Sequence, residues 1–112
     1  MSKYKAKPIE IDGHRFPSRL EGKRYLELKE MVQNGKIKDL ELQPVFLLVP
    51  SFKKNGKTYR KIEYIADFRY YDIEKNKIII EDTKGVETDV FKIKHKLFEY
   101  QYPDLELSII KK

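Results

Sequence analysis

Tyr64-Ile65-Ala66-Asp67-Phe68 and Ile78-Ile79-Ile80-Glu81-Asp82-Thr83-Lys84-Gly85 are the two stretches whose reading decides the fold. Both are rich in β-branched and aromatic residues and read as strands. The polar segment from Asp72 to Asn76 reads as the turn that joins them into an antiparallel hairpin. Strand interiors in a small domain are mostly apolar on the core face, so Asp67, Asp82 and Lys84 demand a reason. With the hairpin centred between Glu74 and Lys75, Asp67 falls opposite Asp82, with Cβ atoms about 4.5–5.5 Å apart. Two like charges so placed repel, and a divalent cation bound by hard carboxylate oxygens removes the conflict. Alternation puts Ile78, Ile80, Asp82 and Lys84 on one face and Ile79, Glu81 and Thr83 on the other. Asp82, and not Glu81, therefore shares its side with Lys84.

Towards the N-terminus, Thr58–Tyr71 reads as one continuous strand preceded by the turn Lys53-Lys54-Asn55-Gly56-Lys57, where Asn-Gly is a strong hairpin signal. Ile37 to Val49 reads as the strand before it, interrupted in character by Pro44. Ser18-Arg19-Leu20-Glu21 has the form of a capping box, and the helix it opens stops at Asn34-Gly35. Glu21 falls on the same helical stripe as Tyr25, Leu28 and Val32, the face expected to meet the core. Residues 1–12 are polar and basic and read as a loose arm or an edge segment. Towards the C-terminus, Gly85 ends the last hairpin strand and Thr88 opens a second helix. Val90, Ile93, Leu97 and Tyr100 are spaced for its apolar face, and Pro103 stops it. Leu105 to Ile110 reads as a final short strand. The expected fold is α+β: helix, three antiparallel strands, helix, strand, as one domain over residues 1–112.

The 112 residues contain no cysteine, which excludes disulfides and a cysteine-based zinc site. Only His14 and His95 could supply imidazole ligands. The start of the chain lacks the apolar stretch of a signal peptide, and no segment approaches the roughly 20 apolar residues of a membrane span. A cytoplasmic protein without a membrane partner is expected. The net charge of +6, from 24 Lys and Arg against 18 Asp and Glu, suits a polyanionic partner. The cations are spread along the chain and not gathered into a tail.

Mundane readings exist for each residue. Asp67 could cap a strand end or pair with Arg69 or Lys84. Asp82 and Lys84 could form a solvated edge, and Glu21 could serve only the capping box. Lys94 faces inward more than Lys92 or Lys96, either snorkelling or reaching a phosphate. Gln43, in an otherwise apolar strand, could reach the site or pair with backbone. Lys53, Lys54, Lys57, Arg60, Lys92 and Lys96 are candidates for phosphate contacts.

The ordered set Asp67, then Asp82-Thr83-Lys84, resembles the PD-(D/E)xK nuclease superfamily, whose motif is an Asp followed on the next strand by (Asp/Glu)-x-Lys. Glu21 matches the acid that the preceding helix often supplies in that superfamily. The element order is similar to its restriction-endonuclease-like αβββαβ core, a mixed sheet flanked by two helices. The motif's proline is replaced by Ala66. A closer resemblance is to a family of small phage and prophage proteins catalogued as a domain of unknown function. It is carried by Phe16-Pro17-Ser18-Arg19-Leu20-Glu21, Leu42-Gln43-Pro44, Tyr64-Ile65-Ala66-Asp67-Phe68, Glu81-Asp82-Thr83-Lys84-Gly85 and Lys92-Ile93-Lys94-His95-Lys96-Leu97.

The resemblance implies a Mg²⁺- or Mn²⁺-dependent DNA endonuclease, acting on branched DNA such as a Holliday junction during phage recombination or replication. Asp67, Asp82, the Thr83 carbonyl and Glu21 would serve the metal, and Lys84 the attacking water. Junction resolution needs two symmetric cuts, so a homodimer is expected. The competing readings are a nicking, flap or transposase-like endonuclease, and a DNA-binding accessory protein that does not cut.

Overall fold

The computed structural model describes residues 7–111. Ser18 caps α1 (Arg19–Gln33) by accepting the Glu21 amide on its hydroxyl at 3.1 Å. The helix ends through Asn34 and a left-handed Gly35, whose amide reaches the Val32 carbonyl. Before it lies a small antiparallel hairpin, β1 (Ile9–Ile11) and β2 (His14–Phe16). Asp12 and Gly13 turn this hairpin with positive φ at both positions. The segment expected to be an arm is thus ordered from Ile9 onward; its first six residues lie outside the described range. Gly22 is what lets the hairpin dock on α1, since a Cβ there would meet Ile9 Cγ2 at 2.8 Å.

The central sheet has four strands in the order β10-β9-β8-β3. Here β3 is Ile37–Leu42, β8 is Phe68–Asp72, β9 is Lys77–Lys84 and β10 is Glu106–Lys111. β3, β8 and β9 are antiparallel neighbours, and β10 joins β9 in parallel after the crossover through α2 (Asp89–Gln101). The fold is therefore α+β, with a mixed sheet and two helices.

The two long strands expected at Ile37–Val49 and Thr58–Tyr71 are not continuous. They form one bent antiparallel ribbon in three paired pieces. β3 pairs with β8, β4 (Val45–Val49) with β7 (Ile62–Ile65), and β5 (Phe52–Lys54) with β6 (Lys57–Tyr59). Pro44 cannot donate to a ladder, and Gln43 before it takes a left-handed φ of 51°, so pairing breaks there. The partner strand breaks at the same level, at Ala66-Asp67. Asn55-Gly56, both with positive φ, turn the distal end as the sequence implies.

Residues of β9 alternate between two cores. Ile79 packs with Phe16, Tyr25, Leu28, Ile37, Phe68 and Tyr70 on the α1 side. Ile80 packs with Phe46, Leu48, Tyr64, Phe91 and Phe98 on the α2 side. The face expected of α2 is corrected: Val90, Ile93 and Tyr100 are exposed, and Phe91 and Phe98 are the buried anchors. Burying the two rings of Phe91 and Phe98 removes more apolar area from water than burying Val90 and Ile93 would, which decides the rotation of the helix. Val32 of α1 is likewise exposed, while Tyr25 and Leu28 of the same stripe are buried. No helix among the described residues is long and apolar enough to cross a membrane.

Candidate functional site

Asp67 sits at the bend where β7 leaves its ladder and β8 begins. Its backbone is pinned from both sides. The Asp67 amide donates to the Glu81 carbonyl at 3.0 Å, and its carbonyl accepts from the Gln43 amide at 2.9 Å. The bend also explains its carboxylate. The hairpin register from Phe68↔Glu81 to Asp72↔Lys77 follows the expected centring between Glu74 and Lys75. The ladder stops one residue short of Asp67, so Asp67 and Asp82 are next in line and not a regular pair. Asp67 Oδ2 instead accepts the Thr83 amide at 2.6 Å and the Thr83 hydroxyl at 2.7 Å. Neither Arg69 nor Lys84 forms an ion pair with it among the described residues.

Asp82 is 2% exposed, near the C-terminal end of β9 on the α2 side. Its Oδ2 accepts the Tyr64 hydroxyl, and Lys84 Nζ stands 3.4 Å from Oδ1. Lys84 Nζ also lies 4.3 Å from the centroid of the Phe91 ring, so an aromatic face on α2 orients the ammonium. Glu81 points the opposite way, as alternation requires. It is 1% exposed, with Arg24 donating to Oε1 at 2.8 Å and to Oε2 at 2.7 Å, and the Tyr70 hydroxyl adding a third bond. That network ties half-buried Arg24 of α1 to the sheet and matches the buried charge of Glu81.

Glu21 is 4% exposed, and its Oε2 is buried without a hydrogen-bond partner. The helix cap accounts for its amide but not for its carboxylate. Burial, followed by the charges of Asp67 and Asp82, pushes Glu21 up to about 8, with Lys84 opposing. Asp82 is pushed up to about 6, first by burial and then by Asp67; Tyr64 and Lys84 hold it down. Tyr64 itself is raised well above the usual phenol range by burial and by its bond to Asp82. Three elements, the first turn of α1, the bend and the end of β9, thus bring Glu21, Asp67, Asp82 and Lys84 into one electrostatic neighbourhood.

Lys94 is half-buried and lines an open cleft of about 290 Å³ together with Lys84, Tyr64, Thr88 and Phe91. Lys92 and Lys96 are exposed on the same helix and do not line it. Lys53, Lys54, Lys57 and Arg60 are exposed on and beside the distal ribbon. Gln43 acts through its backbone; its side chain is exposed beside a second cleft formed with Gly13 to Phe16 and Leu42. Sequence reasoning missed Tyr64 and Arg24. Tyr64 lies on the buried face of a strand with a polar tip, and such a tip seeks a partner. Arg24 falls one turn after Glu21, within reach of the sheet.

Over residues 1–112 the chain matches the family described as Protein of unknown function (DUF1064). The chain belongs to that family. No curated protein and no solved structure matches it.

The chemistry of this DUF1064 site fits a hard divalent cation. All available ligands are carboxylate or carbonyl oxygens, one buried carboxylate oxygen has no partner, and the charge of Asp67 raises the proton affinity of both Glu21 and Asp82. Among the described residues, no three His, Asp or Glu side chains close into a ready-made cage. Mg²⁺ does not need such a cage, because it keeps several waters and takes one or two carboxylates plus substrate phosphate oxygens. Asp82 can accept Tyr64 and still offer a lone pair, since an ionised carboxylate has about four acceptor positions.

Proposed function

We propose that this protein is a metal-dependent DNA endonuclease of the PD-(D/E)xK type, with a restriction-endonuclease-like core. The observation that carries the reading is the neighbourhood of Glu21, Asp67 and Asp82, with an orphaned Glu21 oxygen and with Lys84 beside Asp82. Structural acids are normally matched as Glu81 is matched by Arg24; these three share too little positive charge. The strand order, with α1 before the antiparallel strands and a parallel β10 after α2, is compatible with that core.

Mg²⁺ or Mn²⁺, held by Asp67, Asp82 and the Thr83 carbonyl with Glu21 acting through water, would polarise the phosphoryl oxygen and make a bound water more acidic. The protein's own groups do the rest. Thr83 fixes Asp67 through two donors, so the carboxylate presents its other oxygen in a set direction. Tyr64 favours the ionised form of Asp82 by donating to it. Lys84 orients the attacking water and offsets the negative charge that develops on the phosphate. Lys94, across the open cleft from Lys84, holds a neighbouring phosphate of the same strand. Lys92 and Lys96 lie further along the same helix, for more distant phosphates.

Branched DNA of the four-way-junction kind is the substrate we infer, cut during recombination or replication by a homodimer in the cytoplasm of a bacterial host. Two symmetric incisions require two active sites related by a two-fold axis. Asp82→Asn tests the chemistry: it removes a ligand charge while keeping size. Cleavage should be lost while the variant still binds DNA. A variant that cuts as fast as the parent protein would show that the assignment is wrong.

A further inference from the structure

The ribbon end formed by β5 and β6 belongs to neither core. Every residue from Pro50 to Ile62 is exposed, and β5 and β6 pair only with each other. Five cations lie in this stretch, Lys53, Lys54, Lys57, Arg60 and Lys61, and no acid does. Only Lys61 has an ion-pair partner among the described residues, Glu63 at 3.2 Å.

The register makes the charge more pointed. Phe52 pairs with Tyr59 and Lys54 pairs with Lys57, so by alternation all four side chains share one face. The two rings stack with centroids 4.8 Å apart and planes at 9°. The two lysines are direct cross-strand neighbours, an arrangement that repels. Lys57 Nζ relieves this in part by lying over Tyr59, 5.0 Å from its centroid. The isolated protein gains nothing from placing like charges opposite each other on a strand pair with no core beneath it. A polyanion supplies the missing counter-charge.

We infer that the β5–β6 ribbon is a duplex-engaging arm that enters the major groove of B-form DNA. It would turn that shared face into the groove, with the two rings over the base edges and the longer lysine side chains reaching the phosphate walls. A two-stranded ribbon fits a groove about 12 Å wide. The deep, narrow major groove of double-stranded RNA does not admit it. The inference rests on the DNA reading above and extends it, since it names the element that grips the duplex arm next to the cut. The ribbon is continuous with β7, so a duplex held there runs from the ribbon towards Tyr64 and Asp67 at its base.

The test measures binding apart from cleavage. Fluorescence anisotropy in EDTA compares the parent protein with Lys54→Gln/Lys57→Gln on a duplex DNA and on a double-stranded RNA of equal sequence. Cleavage of a four-way DNA junction is followed separately in Mg²⁺. Loss of two phosphate contacts should lower the slope of log K against log salt by about 1.8 and weaken DNA binding on the order of tenfold near physiological salt. The parent should prefer DNA over RNA, and the variant should lose most of that preference. An unchanged urea midpoint confirms that the fold is intact. A variant with the parent's affinity and salt slope overturns the arm, as does equal binding of RNA by the parent, and neither result touches the nuclease reading. Conversely, a parent protein that binds duplex through the ribbon but never cuts with Mg²⁺ supports the arm and sinks the nuclease.

Discussion

Replacing Glu21 by Gln should stabilise this protein at alkaline pH and not at acidic pH. The carboxyl moves from an ordinary value of 4.5 to about 8 on folding, for which burial is the first cause and the charges of Asp67 and Asp82 the next. A raised value means that the folded state holds the proton more tightly than the unfolded chain. The associated stability is fully present below about pH 4.5 and is lost as pH rises through about 8. About 3.5 units at roughly 1.4 kcal/mol each put the penalty for the charged form near 5 kcal/mol. The glutamine amide is buried in turn without an assured partner, which costs about 1–3 kcal/mol.

The net expectation for Glu21→Gln is a gain of about 2–4 kcal/mol at pH 9, a Tm rise on the order of 10 °C for a domain this size. At pH 4.5 the variant should be less stable than the parent by about 1–3 kcal/mol, since there only the amide penalty remains. Urea unfolding followed by circular dichroism at half-unit pH steps, without divalent ions, measures the difference directly. Mg²⁺ at a hundred times its Kd should then stabilise the parent by about 2.7 kcal/mol and narrow the gap at pH 9. A difference between variant and parent that does not change with pH would refute the argument, because it would mean that Glu21 is not held protonated by its surroundings.

Arg24→Ala should destabilise the fold by about 3–5 kcal/mol in urea, because it strands Glu81 as an unmatched buried charge. Replacing both residues by Met should recover most of that loss, the pattern expected of a buried pair with no part in chemistry. Tyr64→Phe removes a donor that holds Asp82 down. The acidic limb of the pH–rate profile for DNA cleavage should then move up by about one unit, the equivalent of one charge-assisted hydrogen bond.

Local signals in the sequence were reliable where the chemistry is local. The Ser18 cap, the Asn34-Gly35 stop, the Asn55-Gly56 turn and the Thr88 cap all stand where composition puts them. Alternation along Ile78–Lys84 correctly separated Asp82 from Glu81, because a buried strand has only two faces. The Ile9–Phe16 hairpin carried an Asp-Gly turn signal that the polar N-terminus obscured. Long-range features were not legible. The bend at Asp67 depends on bonds to Gln43 and Pro44 across the ribbon, which no window around Asp67 contains. The rotation of α2 depends on what the helix packs against: Val90, Ile93 and Leu97 have the right spacing, but Phe91 and Phe98 have the larger area. The Tyr64–Asp82 and Arg24–Glu81 bonds join residues 18 and 57 positions apart. Only the fold reveals that the second satisfies its acid whereas the first leaves Glu21 and Asp67 still short of positive charge.

The central claim is that Glu21, Asp67, Asp82 and Lys84 assemble a metal-dependent site for phosphodiester hydrolysis. Cleavage of a labelled four-way DNA junction by the purified protein in Mg²⁺, in parallel with EDTA, tests it most directly. Paired incisions near the branch point are expected with Mg²⁺ and none with EDTA. An intact junction under both conditions, across the range of pH and Mn²⁺ substitution, would contradict it.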